Sequence, residues 1–457
     1  MAIIACLLTS ASACAVPAAA VPPPSTTELT EAARAATVLV QGDFEVTTTV
    51  PTVVPVQSQF DALIARIQQL ARTGQIRTNA EANAYYQDQI LSHPGDYLQA
   101  GGDRSADHFT FEATGSGFFI TSDGYLVTAA HVAAPAKDDV HTLILDSIDA
   151  DFTKTVTESV RSDLTGNGFT PTAAQLQVVA AWEVDYFRAN VRVDDVKGQL
   201  RVAIGPSLVP GDAISKQGMV ATTVVAGQAS PGKDVAILRV AGSNLPALGL
   251  GDEAQLRVDT RMYELGYPCK TCDLHKVAPT GPGQLDLTVT VGVPAAREQN
   301  QGWTALGTTA AGTHGDSGGP VIGPDGNVVG IVSYGHSGST DTFLVPASVV
   351  KEFAVQAGIK PAPGKVTALY REALADYDLK RYRWALPLFL RVEKLDPQQP
   401  YVAAFVTGAQ AAIAKGEDRS PPDLSPYVLP VTGLLLFVIL AGIYVPGLTY
   451  GTRRRRP

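Results

Sequence analysis

Ser317 lies in a glycine-rich stretch that suits a catalytic nucleophile. Residues 312–321 read Gly-Thr-His-Gly-Asp-Ser-Gly-Gly-Pro-Val. Because glycine has no side chain, a substrate carbonyl can reach the Ser317 hydroxyl, and the backbone amides of Gly315 and Ser317 can point at one spot. A serine hydroxyl needs a base that removes its proton and a group that orients the base. The stretch therefore predicts a nucleophile beside an oxyanion hole, with a histidine and a carboxylate elsewhere in the chain.

A predicted β-hairpin delivers the histidine. The residues up to Ile120 predict a strand, residues 122–124 (Ser-Asp-Gly) a turn, and Tyr125 to Thr128 a second strand. Ala-Ala-His follows at once, so His131 stands at the edge of the predicted sheet. We predict that it acts as the general base.

Two motifs carry a resemblance to a known family. Thr-Ala-Ala-His-Val at 128–132 and Gly-Asp-Ser-Gly-Gly-Pro at 315–320 resemble the trypsin-like serine proteases. Gly-Ser-Gly-Phe at 115–118 and Asp-Gly-Tyr-Leu-Val-Thr at 123–128 resemble their HtrA or Deg branch. The resemblance implies a mainly β chymotrypsin-like fold, with two packed antiparallel six-stranded β-barrels and helical insertions. It implies a serine endopeptidase that needs neither a cofactor nor a metal.

Asp234 is the predicted third member. A triad carboxylate must be fixed and partly buried, and Asp234 opens the apolar run Val-Ala-Ile-Leu, which matches the family's Asp-Val-Ala-x-Leu segment. Asp194, Asp195 and Asp212 are rivals in more polar surroundings. The order His131, Asp234, Ser317 is that of chymotrypsin-like enzymes, whereas α/β-hydrolases and subtilisins have other orders.

The resemblance also implies residues that contact substrate. Ala311 stands six residues before the nucleophile, where trypsins have an acidic residue, and Gly312 follows it. We therefore expect a small or aliphatic side chain at the substrate's P1 position. Ser333-Tyr334-Gly335 resembles the strand that pairs with substrate backbone, and Ser333 could also support Asp234.

Cys269 and Cys272 form a C-x-x-C pair. In an exported protein a small loop disulfide is the favoured interpretation. A redox-active pair is the second interpretation. A metal site that used His275 would have only three ligands.

The composition and the first residues indicate an exported protein. The net charge is -9, with no basic block before the last few residues, which argues against a nucleic-acid partner. Residues 1–20 are apolar and small, with A-x-A cleavage patterns, and predict a secretory signal peptide; an uncleaved N-terminal anchor is the alternative.

Residues 429–457 predict an anchor. Leu-Pro-Val-Thr-Gly at 429–433 is followed by an apolar span at 434–450 and by four arginines at 453–456. The span alone predicts a transmembrane anchor with a cytoplasmic end. The three parts together resemble the LPXTG sorting signal of Gram-positive surface proteins. That resemblance implies sortase cleavage between Thr432 and Gly433, attachment to peptidoglycan and a cell-wall location.

The remaining organisation follows from composition and periodicity. We expect a protease domain at 28–358 with helical inserts at about 56–107 and 137–220, and within it two edge strands that end at Pro51. A linker at 359–364 leads to helices at 365–415, which predict a tetratricopeptide-like unit or a generic helical hairpin. A Pro-rich spacer follows at 416–428.

The sequence thus predicts a secreted, surface-anchored serine endopeptidase that cleaves proteins or peptides. A competing interpretation is a cell-surface binding or scaffold protein that uses the helical module or the inserts. In a variant of the first interpretation, the inserts keep the protease latent.

Overall fold

The structure is a computed structural model that describes residues 23–205, 207–208, 214, 218–269, 285–335 and 342–422. Its helices are α1 (Thr26–Ala36), α2 (Gln57–Arg72), α3 (Asn79–Ser92), α4 (Pro94–Tyr97), α5 (Ala130–Ala133), α6 (Lys137–Asp146), α7 (Ala150–Gly166), α8 (Ala173–Asn190), α9 (Ala347–Gln356), α10 (Lys365–Asp378), α11 (Tyr382–Leu395) and α12 (Val402–Ala414). Its strands are β1 (Thr37–Pro55), β2 (Leu98–Phe119), β3 (Tyr125–Thr128), β4 (Arg192–Ala203), β5 (Ser207–Leu208), β6 (Met219–Ala226), β7 (Ala236–Val240), β8 (Met262–Gly266), β9 (Leu285–Asp286), β10 (Thr288–Gly292), β11 (Pro294–Gln299), β12 (Thr304–Thr308), β13 (Pro320–Ile322), β14 (Val328–Gly335) and β15 (Thr342–Pro346).

Six strands close an antiparallel barrel in the order β1-β2-β3-β7-β6-β4. Successive side chains of a strand point to opposite faces, and here both faces of the central strands are buried. Leu126 and Leu238 belong to the cluster inside the barrel, whereas their neighbours Val127 and Ile237 belong to the cluster against the second sheet. This double burial explains why β3 and β7 are continuous apolar runs.

The second sheet has seven strands in the order β10-β8-β13-β14-β15-β12-β11. The predicted mainly β fold with helical insertions and a closed six-stranded barrel is confirmed. The second predicted six-stranded barrel is instead this open sheet, because β10 and β11, at its two ends, do not pair with each other in the described part of the chain. Helix α9 packs on the sheet through Val350 and Phe353.

The predicted inserts are divided between helix and strand. Helices occupy residues 57–97 and 137–190, but 98–107 and 192–203 belong to barrel strands. The two edge strands expected before Pro51 are one strand, β1, which continues to Pro55. Pro51 is tolerated because it lies beyond the last residue that pairs with β4, where β1 pairs only with β2, and the register shifts after it.

Helices α10, α11 and α12 pack on the barrel rather than standing apart. Their cluster of buried side chains includes Val366 and Phe389 of the helices together with Leu39 of β1 and Ala35 of α1. Thr367 Oγ1 accepts from the Ala247 backbone N–H at 2.8 Å. Within the described residues, no helix is long and apolar enough to cross a membrane. The predicted signal peptide and anchor lie outside the described residues, as does the predicted spacer after residue 422.

Candidate active site

Strand pairing brings His131 to Asp234. In the β3–β7 pair Thr128 lies opposite Ala236, so the chain just after β3 meets the chain just before β7. His131, on α5, donates its backbone N–H to Asp234 Oδ1 at 3.0 Å, and its Nδ1–H donates to Asp234 Oδ2 at 2.8 Å. Ser333 Oγ also donates to Asp234 Oδ2, at 2.6 Å. The carboxylate is therefore held on three sides.

The electrostatics of the pair favour a charged Asp234. Burial opposes ionisation of this carboxyl, but the charge of His131 and the hydrogen bonds from His131 and Ser333 outweigh burial and lower the Asp234 pKa. Burial likewise opposes protonation of His131, but the Asp234 charge and hydrogen bond raise the His131 pKa above 6.5. The Asp234 side chain is 2% exposed, whereas that of His131 is 34% exposed and open to a substrate.

The loop that carries Ser317 lies against the segment that leads into α5. Ser116 N–H donates to Ser317 O at 2.8 Å, and Gly318 N–H donates to Val332 O at 2.8 Å. Gly318 has a φ of +84°, and a Cβ there would come within 2.5 Å of Ala129 N. Only glycine permits this close approach.

The amides of Gly315 and Ser317 are available to a ligand. Gly315 has a φ of +95°, and a Cβ on it would lie 2.2 Å from Tyr267 O. Asp316 N–H donates to Thr313 O at 3.0 Å, but the N–H groups of Gly315 and Ser317 donate to no acceptor within the described residues. The free N–H groups of Gly315 and Ser317 thus flank the bonded N–H group of Asp316, and this arrangement suits the binding of an oxyanion.

The structure also shows where several other predicted residues lie and which contacts they make. The Ser317 hydroxyl forms no hydrogen bond with His131 in the described structure, and such bonds are often long before substrate binds. Of the rival carboxylates, Asp195 pairs with Lys197 at 2.7 Å on β4, and Asp212 lies outside the described residues. Tyr334 stacks on Phe343 with ring centroids 5.2 Å apart.

The remaining predicted sites are described only in part. Ala311 is exposed, and Gly312 N–H donates to Thr342 Oγ1 at 2.7 Å. Cys269 is buried and disulfide-bonded, whereas its predicted partner Cys272 lies outside the described residues, as do His275, Thr432 and Gly433. No cluster that could hold a metal ion occurs among the residues that the structure describes.

Two carboxyls are buried at the Ser317 loop: Asp316, which belongs to the quoted motif, and Glu264, which the sequence analysis missed. Glu264 Oε1 lies 3.0 Å from the position that a Gly312 Cβ would take, and neither Glu264 oxygen has a hydrogen-bond partner. Burial, and then the charge of Asp316, raise the Glu264 pKa to about 8. Burial also raises the Asp316 pKa to about 6, against hydrogen bonds from Thr313. A carboxyl inside the otherwise apolar strand β8 was the available signal.

Comparisons with known proteins show similarity to trypsin-like and HtrA-type proteases. Residues 115–331 match the family model described as a trypsin-like peptidase domain. The chain is 30% identical over 157 residues to the mitochondrial serine protease HTRA2 of Drosophila willistoni, covering 33% of this chain and 31% of the relative. It is 33% identical over 114 residues to a probable periplasmic serine endoprotease, DegP-like, of Chlamydia pneumoniae, covering 24% of this chain and 20% of the relative.

A similar solved structure is the HtrA-type protease AlgW with a tripeptide, at 21% identity, 54% coverage of this chain, 57% of that chain and a TM-score of 0.31. The chain spans less than a third of the length of the two curated relatives. The matched segment, residues 115–331, is thus similar to trypsin-like peptidase domains and to HtrA-type serine proteases.

Proposed function

We propose that the protein is a serine endopeptidase in which Ser317 is the nucleophile, His131 the general base and then acid, and Asp234 the group that holds the His131 tautomer. The hydrogen-bonded pair of His131 and Asp234 beside the Ser317 loop is the single observation that carries the proposal. The matches to trypsin-like and HtrA-type proteases support it.

The chemistry follows from the roles. Ser317 Oγ attacks the scissile carbonyl carbon while its proton passes to His131 Nε2, and the imidazolium then protonates the leaving amine. The Gly315 and Ser317 N–H groups stabilise the developing oxyanion, with roughly 3 kcal/mol for each donor in comparable sites. Water then hydrolyses the acyl-enzyme by the same proton route. No cofactor is needed.

For specificity we propose a small or aliphatic P1 side chain. Ala311 and Gly312 supply no charge, and Glu264, the carboxyl beside Gly312, is mostly protonated at neutral pH because its pKa is about 8. Peptides with alanine, valine or leucine at P1 should be cleaved faster at pH 7 than matched peptides with lysine or arginine. The reverse preference would contradict the proposal.

For location we propose an exported protein anchored at the surface of a Gram-positive cell. The apolar residues 1–20 and the LPXTG-type signal at 429–457 support it, and sortase, peptidoglycan and transiently the membrane would be partners. Mass spectrometry of wall-released protein should find Thr432 as its last residue. A chain that retains Gly433 would instead indicate a plain membrane anchor.

Helices α10 to α12 are proposed to be a tetratricopeptide-like unit.

A fluorophosphonate probe tests the catalytic proposal. We expect the probe to label Ser317 in the wild-type protein and not in Ser317→Ala, because only an activated serine reacts quickly. An exposed serine of α7 provides the control, since Ser162→Ala should label like wild type. A folded wild-type protein that never labels would favour the binding or scaffold alternative.

A further inference from the structure

The segment that follows β8 contacts the backbone of the proposed oxyanion hole. Cys269 N–H donates to His314 O at 2.6 Å. The peptide bond is planar and trans, so this hydrogen bond also fixes the direction of the Gly315 N–H at the other end of the same peptide. The Tyr267 carbonyl oxygen lies against Gly315 on the side where a side chain would stand.

A second link runs through Ser116, which is fully buried. Tyr267 N–H donates to Ser116 Oγ at 2.9 Å, and the Ser116 hydroxyl donates to Gly315 O at 2.7 Å. Because a hydroxyl can donate and accept at once, the Ser116 hydroxyl bridges the backbones of Tyr267 and Gly315. Both peptides that contain Gly315 are thus held through residues 267–269.

The Tyr267 side chain lies in a buried cluster to which the C-terminal helices contribute. It is 0% exposed and belongs to the same cluster as Leu369 and Tyr370 of α10 and Tyr401, which precedes α12. Its hydroxyl donates to Gly205 O at 2.6 Å. Because buried side chains are closely packed, a shift of the helices in this cluster would also displace the Tyr267 ring.

We propose that Tyr267 is a positioning residue for the oxyanion hole, through which helices α10 to α12 hold the Gly315 amide in place. This inference rests on the proposed serine endopeptidase function. It assigns the helices a part in catalysis: they contact no substrate, but they fix the backbone that does.

The test compares two tyrosines of one cluster. Tyr267→Leu removes the ring and its hydroxyl bond, whereas Tyr370→Phe removes a hydroxyl that has no hydrogen-bond partner. The kinetics would use a chromogenic ester well below the unfolding temperature, with active sites counted by fluorophosphonate titration. We expect Tyr267→Leu to lower kcat for each active site by about tenfold to a hundredfold, with KM unchanged. Tyr370→Phe should match wild type.

A merely structural role predicts a different result, namely fewer titratable sites or a lower Tm with the wild-type kcat for each site. That result would overturn the inference. If Tyr267→Leu does not fold, Tyr267→Phe replaces it, and we expect at least a threefold fall in kcat at constant KM; an unchanged kcat would overturn the inference equally. A wild-type protein that the probe never labels would instead refute the proposed function.

A pair of helix variants tests the route through α10 to α12. Leu369→Ala thins the cluster around Tyr267, whereas Leu386→Ala thins the separate cluster of Tyr382 and Ala409. We expect Leu369→Ala to lower kcat for each site and Leu386→Ala to leave it unchanged. Equal kcat values for the two variants would contradict transmission through Tyr267.

Discussion

The His131–Asp234 pair illustrates how two neighbouring groups move each other's pKa in opposite senses that both suit catalysis. Asp234 keeps its charge because three hydrogen bonds reach it, and His131 is made more basic by that charge. A general base must be neutral to accept a proton, so activity should be lost as the pH falls through the His131 pKa.

The acid limb of the pH profile should therefore depend on Asp234. We expect kcat/KM of wild type to rise with pH through a pKa above 6.5. Asp234→Asn removes the charge that raises this pKa, so the limb should move to lower pH, and kcat should fall by about 10⁴-fold. The exposed carboxylate of β4 gives the control, since Asp195→Asn should leave the profile unchanged. An acid limb that stays in place in Asp234→Asn would argue against His131 as the base.

Ser333 should matter through the same carboxylate. Its hydroxyl donates to Asp234 Oδ2, and a hydrogen bond to a charged group contributes roughly 1.5–3 kcal/mol. Ser333→Ala should lower kcat/KM by about tenfold or more and raise the Asp234 pKa, as steady-state kinetics across pH would detect. Unchanged kinetics would mean that the bonds from His131 suffice to hold Asp234.

Among the elements, strand β8 carries a buried carboxyl that has no hydrogen-bond partner. Glu264 is 2% exposed and has no partner for either oxygen. Unfolding moves its pKa from about 8 towards 4.5. Between these values the unfolded chain has released the proton that the folded chain retains, so stability falls as the pH rises.

Glu264→Gln should remove that dependence. The second buried carboxyl, Asp316, is present in both proteins, so the free-energy difference between them isolates Glu264. Relative to the variant, wild type should lose about 1.4 kcal/mol of unfolding free energy for each pH unit from pH 6 to 7, and less as the pH approaches the Glu264 pKa of about 8. Urea unfolding at several pH values provides the measurement. Parallel stability curves would show that Glu264 is ionised in the folded protein.

Sequence could predict the parts of the site that are local in the chain. Ser317 and His131 stand in short motifs, and Asp234 opens an apolar strand. Ser116 and Tyr267 could not be predicted in this way, because their contacts join residues 199 and 151 positions apart. The long β1 strand was also missed, because the helical insert hid its pairing with β2.

At the scale of the whole molecule, the C-terminal helices and the barrel share one buried cluster. Gln399 Nε2 donates to Ala35 O at 3.1 Å, and Phe389, which is fully buried, belongs to the same cluster as Leu39 of the barrel. Elements that share a core should unfold together rather than as separate units.

Phe389→Ala should accordingly destabilise the barrel as well as α11, the helix that carries Phe389. We expect a loss of about 3–5 kcal/mol from the cavity and the lost burial. Hydrogen exchange followed by mass spectrometry should show the same loss in peptides from α10 and from β1. Protection that falls in α10 alone would show that the helices unfold independently.

The barrel closes where β1 pairs with β4, and in that pair Leu39 lies opposite Ala203. All the helices from α2 to α8 lie between these two residues in the sequence. Closing a long loop adds little free energy, since each doubling of its length costs about 0.6 kcal/mol. The search for such distant partners nevertheless slows folding. The helices between β1 and β4 can form from local contacts first and shorten the distance that the chain must search. The long inserts therefore affect how fast the barrel forms as well as its core, to which α6 contributes Val140 and Ile144.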